Sequence, residues 1–235
     1  KKAGKTPFKK EDFLKAVQDD AFIEKMVAKY PKLLANLPSK DSGVRYRLEG
    51  YLFPATYNYG KDTTVKEMID QMLAAMDQNL SLYYETLESK NINVNEVLTL
   101  ASLVEKEGAT DQDRKDIASV FYNRLNQDMP LQSNIAILYA EGKLGQKTTL
   151  KEDATINTEL DSPYNIYKNT GLMPGPVDNP GVSAIEAAVN PSKTDYLYFV
   201  ANVENGEVFF AKTYEEHNKN VEEHVNSKLT QASSN

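Results

Sequence analysis

The sequence predicts an α+β fold that is mainly helical, with one small antiparallel sheet. Apolar residues recur at helical spacing through most of the chain, most regularly in 94–104. The alternation typical of strands is confined to 196–202 and 207–212, and Glu204-Asn205-Gly206 between them indicates a hairpin turn. With 235 residues, 40% of them hydrophobic, the chain can bury the core of one large domain.

Residues 1–43 are predicted to form an N-terminal helical segment that precedes the main domain. Apolar positions indicate two helices within 8–36, the second ending before Pro31. The stretch 38–43, PSKDSG, is typical of a turn or linker. We therefore expect the main domain to span 44–235.

The segment 44–60, VRYRLEGYLFPATYNYG, is predicted to be extended, because Pro54 is incompatible with a helix interior. If its aromatic side chains are exposed, they suit the apolar faces of sugar rings. The alternative interpretation is an edge strand that packs the same tyrosines on the core.

Further segments carry a helical pattern. The helix at 64–78 begins with a capping box of Thr64 and Glu67. The helix at 93–108 lies between Asn93 and Gly108, residue types that favour helix ends. The remaining predicted helices span 82–90, 111–127, 135–140, 183–189 and 214–229, the last with His217 and His224 on its polar face.

Two acids, Glu105 and Glu107, end the helix 93–108. A turn of about 100° per residue places them on opposite flanks of its apolar stripe. Glu107 follows Leu103 by four residues and Val104 by three, so its flank is the more apolar. A carboxyl that loses water there has a raised pKa and stays protonated near neutral pH, as a general acid requires. The alternative is two surface glutamates on the last turn of a core helix.

Composition narrows the possible chemistry. The absence of cysteine excludes disulfides and cysteine–zinc sites. Two histidines disfavour a histidine metal cluster and a Ser-His-Asp triad, so we predict no metal and no cofactor, with carboxylates as acid and base. A formal charge of −7 without a dense basic patch argues against a nucleic-acid partner. No apolar run approaches the roughly 20 residues of a membrane span.

Two polar segments supply candidates for ligand binding. Amide and hydroxyl groups gather just before the helix 135–140, where they form either an N-cap or a set of donors to a polar ligand. The segment 161–181, rich in Pro, Gly and Asn, predicts a long ordered loop of the kind that is often functional. The candidate side chains in these segments are Gln132, Ser133, Asn134, Tyr164, Asn165 and Tyr167.

Six separated motifs follow one another in a recognisable order. They read LEGYLFPATY (48–57), LASLVEKEG (100–108), VFYNRL (120–125), MPLQSN (129–134), SPYNIYKNTGLMPGP (162–176) and AAVNPSKTDYLYFVAN (187–202). Together with FAKTYEEHNKNV (210–221), they resemble the YceG-like family of endolytic murein transglycosylases. The resemblance covers about residues 44–225.

The resemblance implies a fold with a lysozyme-like helical core. It also implies that the protein is a lytic transglycosylase. Such an enzyme would cut peptidoglycan glycan strands internally, between N-acetylmuramic acid and N-acetylglucosamine. It implies that Glu107 is the single catalytic acid and base. Glu107 would protonate the glycosidic oxygen and then take the proton of the muramic acid 6-hydroxyl, which closes a 1,6-anhydro ring. Candidates for holding the sugars or stabilising the transition state are Glu49, Tyr51, Asn123, Gln132, Ser133 and Tyr164.

The resemblance also implies parts outside this sequence: a cytoplasmic tail, one membrane span and an upstream extracytoplasmic module. The chain would then act at the extracytoplasmic face of the bacterial cell membrane, touching the membrane only through that anchor. Its partners would be peptidoglycan strands and the peptidoglycan synthesis machinery.

One departure from the family pattern concerns activity. An Asp-Pro pair common in the family reads Asn134-Ile135 here. The acid is either needed for activity or only caps the next helix, which asparagine also does. The alternative function is therefore a non-catalytic glycan-binding module. A pyridoxal-phosphate lyase is disfavoured because no Gly-rich phosphate loop opens a helix.

Overall fold

The computed structural model describes residues 8–145, 156–202 and 205–227. In these ranges the chain forms nine α-helices and one two-stranded antiparallel sheet, so it is mainly helical, as predicted. The helices are α1 (Lys10–Ala16), α2 (Asp20–Lys29), α3 (Val65–Leu80), α4 (Tyr84–Ser89), α5 (Val94–Glu107), α6 (Asp111–Leu125), α7 (Asn134–Ala140), α8 (Val182–Val189) and α9 (Tyr214–Val221). The strands are β1 (Tyr198–Ala201) and β2 (Val208–Ala211).

Helix α5 is the centre of the core. Val94 and every residue of 97–104 are buried, and the helix packs against α6, α7 and α8. The sequence predicted a single apolar stripe, but a helix enclosed on several sides is buried around its whole circumference. The polar Ser102 is buried there too, and its hydroxyl accepts a hydrogen bond from the Val177 N–H at 3.0 Å. This packing holds the C-terminal end of α5 in a fixed position.

The N-terminal helices contribute to the same hydrophobic cluster as α5. Phe22, Ile23 and Met26 of α2 belong to that cluster, and α1 contacts α3. The predicted linker contains a short 3-10 turn, Lys40–Ser42. The division into 1–43 and 44–235 stays a prediction.

The segment 44–60 packs all of its aromatic residues except Tyr59 at least partly against the protein. Tyr51 is completely buried, Phe53 and Tyr57 are half-buried, and Tyr59 is 39% exposed. The segment consists of turns and irregular backbone without a strand. The interpretation as a row of exposed aromatics is therefore wrong, and the edge-strand alternative is right only about the packing.

Gly50 joins this segment to the loop 161–181. Its N–H donates to Asn179 Oδ1 at 2.9 Å, its φ is +85°, and an added Cβ would lie 2.2 Å from Pro176 Cγ. We expect Gly50→Ala to lower the free energy of unfolding by about 2–4 kcal/mol, the sum of left-handed strain and a clash.

Gly171→Ala is the matched control for Gly50→Ala. Gly171 has the same φ of +85° with no atom within 4 Å of an added Cβ, so only the backbone strain of about 1–2 kcal/mol applies. Urea unfolding of both variants measures the difference. Equal losses would show that close approach to Pro176 does not constrain this position.

The predicted hairpin is present. Strands β1 and β2 pair antiparallel, with Tyr198 opposite Ala211 and Ala201 opposite Val208. Glu204 of the predicted turn lies outside the described residues.

Helix α9 packs on this hairpin, and a π-helical turn, Glu222–Asn226, follows it. Contrary to the prediction of a polar face, His217 stacks on Tyr198 at 5.3 Å and His224 on Phe209 at 3.6 Å between ring centroids. The imidazoles stack on aromatic side chains of the hairpin. Helical periodicity could not predict this contact, because it depends on a different element of the fold. The predicted helix end near residue 229 lies outside the described ranges. Across those ranges no helix is both long and apolar enough to cross a bilayer.

Candidate active site

Glu107 is the last residue of α5 and projects from the buried end of that helix. A capping box of Asn93 and Glu96 begins α5, and Gly108 follows it. Gly108 allows a close approach, because an added Cβ would lie 2.5 Å from Arg114 Cγ of α6. The Glu107 side chain is half-buried, and its Oε1 accepts a hydrogen bond of 2.7 Å from the Ser133 hydroxyl. In the ranges described, Oε2 receives no hydrogen bond.

Ser133 orients this contact. The residue is 3% exposed and is the N-cap of α7, where its Oγ accepts the Ile135 N–H at 3.2 Å. A serine hydroxyl has one proton, and here that proton points to Oε1 of Glu107. When the carboxyl of Glu107 is protonated and this hydrogen bond is kept, the carboxyl proton lies on Oε2.

The electrostatic surroundings favour the neutral acid. Burial raises the pKa of the Glu107 carboxyl, whereas the hydrogen bond from Ser133 opposes that rise because it stabilises the carboxylate. Burial also raises the pKa of Tyr167 to about 12, and the negative charge of Glu107 contributes to that rise when Glu107 is ionised. Tyr167 is thus a neutral donor at physiological pH, and its hydroxyl donates to Asn134 Oδ1.

Arg124 holds the segment that precedes Ser133, and sequence reasoning did not assign it a site role. Its side chain is buried and lies 5.0 Å over the Tyr198 ring. Its N–H groups donate to the carbonyls of Leu197 (2.6 Å), Pro130 (2.9 Å) and Leu131 (3.1 Å) and to Gln132 Oε1 (3.2 Å). The feature of the sequence that could have indicated this role is the position of Arg124, a charged residue, near the apolar stripe of α6.

The segment held by Arg124 has strained backbone. Asp128 and Gln132 are non-glycine residues with φ of +51° and +55°. Such conformations persist where the surrounding contacts hold the backbone in place, and they are enriched at functional sites. The Gln132 side chain is exposed, but its carbonyl oxygen is bonded to Arg124.

Three predicted sugar-binding side chains make protein contacts instead. Tyr51 is completely buried and donates to Asn95 Oδ1 at 3.1 Å, and Asn165 is 1% exposed because it ties together its own loop. Both residues are buried in this structure, and their role in binding a ligand stays a prediction. Both N–H groups of the half-buried Asn123 amide donate to backbone carbonyls, those of Thr194 (2.9 Å) and Tyr196 (3.0 Å).

Glu105, the other acid of α5, anchors neighbouring elements. Its Oε2 accepts the N–H of Gly181, the N-cap of α8, at 3.1 Å, and its Oε1 lies 3.8 Å from Arg114. The two flanks of α5 are therefore used differently: Glu105 joins α6 and α8, while Glu107 faces Ser133.

The remaining candidates, Glu49 and Tyr164, lie at the other end of α7. The Tyr139 hydroxyl donates to Glu49 Oε2, and the Tyr139 ring lies 4.9 Å from the Tyr164 ring. Burial raises the pKa of Glu49, although the hydrogen bond from Tyr139 and the charge of Arg45 oppose the rise. The predicted residues thus form two groups, with Gln132, Ser133, Asn134 and Tyr167 on the side of Glu107.

Comparison with known proteins agrees with the motifs. Residues 5–223, a range that includes α1 and α2, match the YceG-like family. The chain is 67% identical over 219 residues to a Streptococcus pneumoniae R6 protein named endolytic murein transglycosylase, covering 93% of this chain and 40% of that protein. It is 42% identical over 227 residues to a Bacillus subtilis protein of the same name, covering 96% and 61%.

A solved structure is similar as well. The crystal structure of a YceG-like protein from Listeria monocytogenes matches with a TM-score of 0.79 and 46% identity, covering 90% of this chain and 67% of that chain. The chain spans about 40% of the length of its streptococcal relative. Because the family match covers nearly the whole sequence and the core helices that hold Glu107, this chain belongs to the YceG-like family.

Proposed function

We propose that this chain is the catalytic part of an endolytic murein transglycosylase, which cuts nascent peptidoglycan strands between N-acetylmuramic acid and N-acetylglucosamine. Relatives at 67% and 42% identity carry that name. The observation that carries the proposal is the half-buried Glu107 carboxyl, with Oε1 held by Ser133 and Oε2 without a hydrogen bond in the described residues.

The proposed reaction uses one carboxyl twice. Glu107 gives the proton on Oε2 to the glycosidic oxygen, and the bond between that oxygen and C1 of muramic acid breaks. The resulting carboxylate then takes the proton of the 6-hydroxyl, whose oxygen bonds to C1 and closes the 1,6-anhydro ring. No water is consumed, and Glu107 ends protonated as it began.

The positions of the other acids support a single-carboxyl mechanism. Glycoside hydrolases pair two carboxyl groups across the bond that they cut. Here Glu105 is bonded to Gly181 and close to Arg114, and Glu49 is bonded to Tyr139. Positive charge at C1 would then be stabilised by neutral dipoles, for which the oxygens of Tyr167 and Asn134 are candidates.

The Asn134 departure is compatible with activity. Asn134 opens α7, and its Oδ1 accepts the Tyr167 hydroxyl, a role that an amide oxygen performs as a carboxylate oxygen does. This contact means that the departure is not by itself an argument for the alternative, a non-catalytic peptidoglycan-binding module.

The proposal also covers the fold of the core, the role of residues 1–43 and the cellular location of the full protein. The helices around α5 would form a lysozyme-like core, and the segment 1–43 would be the end of an upstream module. The full protein would sit at the extracytoplasmic face of the cell membrane through a single span outside this chain. It would work with the peptidoglycan synthesis machinery.

Mass spectrometry of nascent, uncrosslinked peptidoglycan incubated with this chain tests the function. We expect new 1,6-anhydromuramic acid ends. New reducing ends would instead show a hydrolase and would require a second carboxyl. Binding of glycan without any cleavage would favour the binding module.

Ser133→Ala tests the orientation of Glu107. Without the hydroxyl, the pKa of Glu107 should rise further, so the alkaline limb of the pH profile of kcat/KM should move to higher pH. We also expect kcat/KM at neutral pH to fall about tenfold, roughly the value of one hydrogen bond to an ionisable group. Ser133→Thr keeps the hydroxyl and should keep the profile. An unshifted profile in Ser133→Ala would contradict the assigned role.

A further inference from the structure

At the C-terminal end of α7, four side chains form what we call the Glu49 patch: Arg45, Glu49, Tyr139 and Tyr164. The exposed Arg45 guanidinium lies 4.7 Å over the Tyr139 ring, and its Nη2 donates to the Tyr139 carbonyl at 2.8 Å. The Tyr139 hydroxyl donates to Glu49 Oε2. The patch thus combines a cation, a half-buried carboxyl and two aromatic rings.

Part of the patch has an evident structural role. Arg45 caps a carbonyl in the last turn of α7, which is a common use of arginine at a helix end. That contact uses Nη2 alone. In the part of the chain that the structure describes, the Nε and Nη1 groups of Arg45 and Oε1 of Glu49 have no hydrogen bond. The helix cap therefore does not explain why Nε and Nη1 of Arg45 and Oε1 of Glu49 are placed together.

The hydroxyl of Tyr164 is a further polar group of the patch that has no hydrogen bond within the described residues. The Tyr164 side chain is 3% exposed. The Tyr139 hydroxyl is close enough to influence the pKa of Tyr164, but the pair does not meet hydrogen-bond geometry. Buried hydroxyls are nearly always bonded, so the Tyr164 hydroxyl has capacity for one further polar partner beside the patch.

The distance between the patch and Glu107 is that of a short peptide. Tyr139 lies six positions after Ser133, which corresponds to about 9 Å along a helix. The loop 164–167 follows the same path, with Tyr167 bonded at one end of α7 and Tyr164 packed at the other. An extended peptide covers about 9–10 Å in three residues. A peptide stem on a muramic acid at Glu107 can therefore reach the patch.

We propose that the Glu49 patch binds the peptide stem of the glycan strand, a specificity that rests on the proposed function. An amide N–H of the stem would donate to Glu49 Oε1, and a carboxylate or carboxamide would accept the fork of Arg45 Nε and Nη1. A strand without stems keeps the lactyl carboxylate of muramic acid, but that group lies at the root of the stem, next to the sugar ring, and does not extend to a fork about 9 Å away. The patch would thus select strands that still carry their peptides.

The test compares uncrosslinked strands with intact stems and the same strands after an amidase has removed the stems. We expect the parent chain to release 1,6-anhydro ends from peptide-bearing strands with a kcat/KM about tenfold higher than from bare strands. Arg45→Ala should lower kcat/KM on peptide-bearing strands to the bare-strand value and leave bare-strand cleavage unchanged. Bare-strand cleavage therefore also reports that the variant is folded.

Lys32→Ala is the matched control, because Lys32 is another exposed cation over a tyrosine ring, 5.6 Å from the centroid of Tyr84, and neither residue belongs to the patch. It should change neither rate, which separates stem recognition from a general effect of charge. Equal rates of the parent on the two substrates, or an equal loss on both in Arg45→Ala, would overturn the proposal. Failure of the proposed function itself looks different, because the parent would then release no anhydro ends from either substrate.

Discussion

Glu107→Gln is expected to reduce the release of 1,6-anhydro ends by about 10²–10⁴-fold, the usual contribution of a general acid and base. The amide keeps the shape of the side chain and still accepts the Ser133 hydroxyl through its oxygen. It cannot deliver a proton to the glycosidic oxygen or take one from the 6-hydroxyl. Mass spectrometry of timed digests measures the rate directly.

Glu105→Gln is the matched control for this substitution. Its amide oxygen can still accept the Gly181 N–H, and only the weak 3.8 Å ion pair with Arg114 is lost. We expect this variant to keep most of the activity. If Glu105→Gln were inactive while Glu107→Gln remained active, the assignment of the two glutamates would be reversed.

The difference in unfolding free energy between Glu107→Gln and the parent should depend on pH in a defined direction. Folding raises the pKa of Glu107 above its ordinary value of 4.5. Below about pH 4.5 the carboxyl is protonated in both states, and as the pH rises the unfolded chain ionises first, so the parent loses stability until the pH passes the folded pKa. The glutamine variant lacks this loss. Its advantage in unfolding free energy over the parent should therefore be larger at pH 8 than at pH 4.

Arg124→Ala is expected to lower the free energy of unfolding by about 3–5 kcal/mol, because several oxygen acceptors lose a charged donor and each buried acceptor left unbonded costs about 1–3 kcal/mol. Four acceptors lose their donors, three of them in the segment 130–132 that leads to Ser133. Arg124→Lys should recover little of this free energy of unfolding, because an ammonium cannot donate to the same four acceptors as the N–H groups of a planar guanidinium. Urea unfolding measures both losses.

Arg47→Ala provides the comparison for Arg124→Ala. Arg47 is half-buried, and its side chain donates one hydrogen bond, from Nε to the Pro38 carbonyl at 2.7 Å. We expect a loss of about 1 kcal/mol and no change in cleavage. Cleavage by Arg124→Ala, measured at a temperature at which it is still folded, should fall because Ser133 is no longer held against Glu107. A fully active Arg124→Ala would show that this segment does not need the arginine.

Local sequence determined the helices and the hairpin. The capping boxes that begin α3 and α5 depend on residues three positions apart, and the alternation of β1 and β2 depends on neighbouring positions. The position of Glu107 on the more apolar flank of α5 followed from helical periodicity alone. For these features the deciding interactions lie within a few residues of chain.

Tertiary structure decided which polar groups meet. Ser133 reaches Glu107 across 26 residues, and Arg124 reaches the Leu197 carbonyl across 73. Tyr51 and Asn165 were indistinguishable in the sequence from groove residues, because burial depends on packing between distant elements. A sequence pattern assigns a side chain to a face of its own element. Whether water, a hydroxyl or an aromatic ring covers that face, and so whether a carboxyl there keeps its proton, depends on the elements that pack against it.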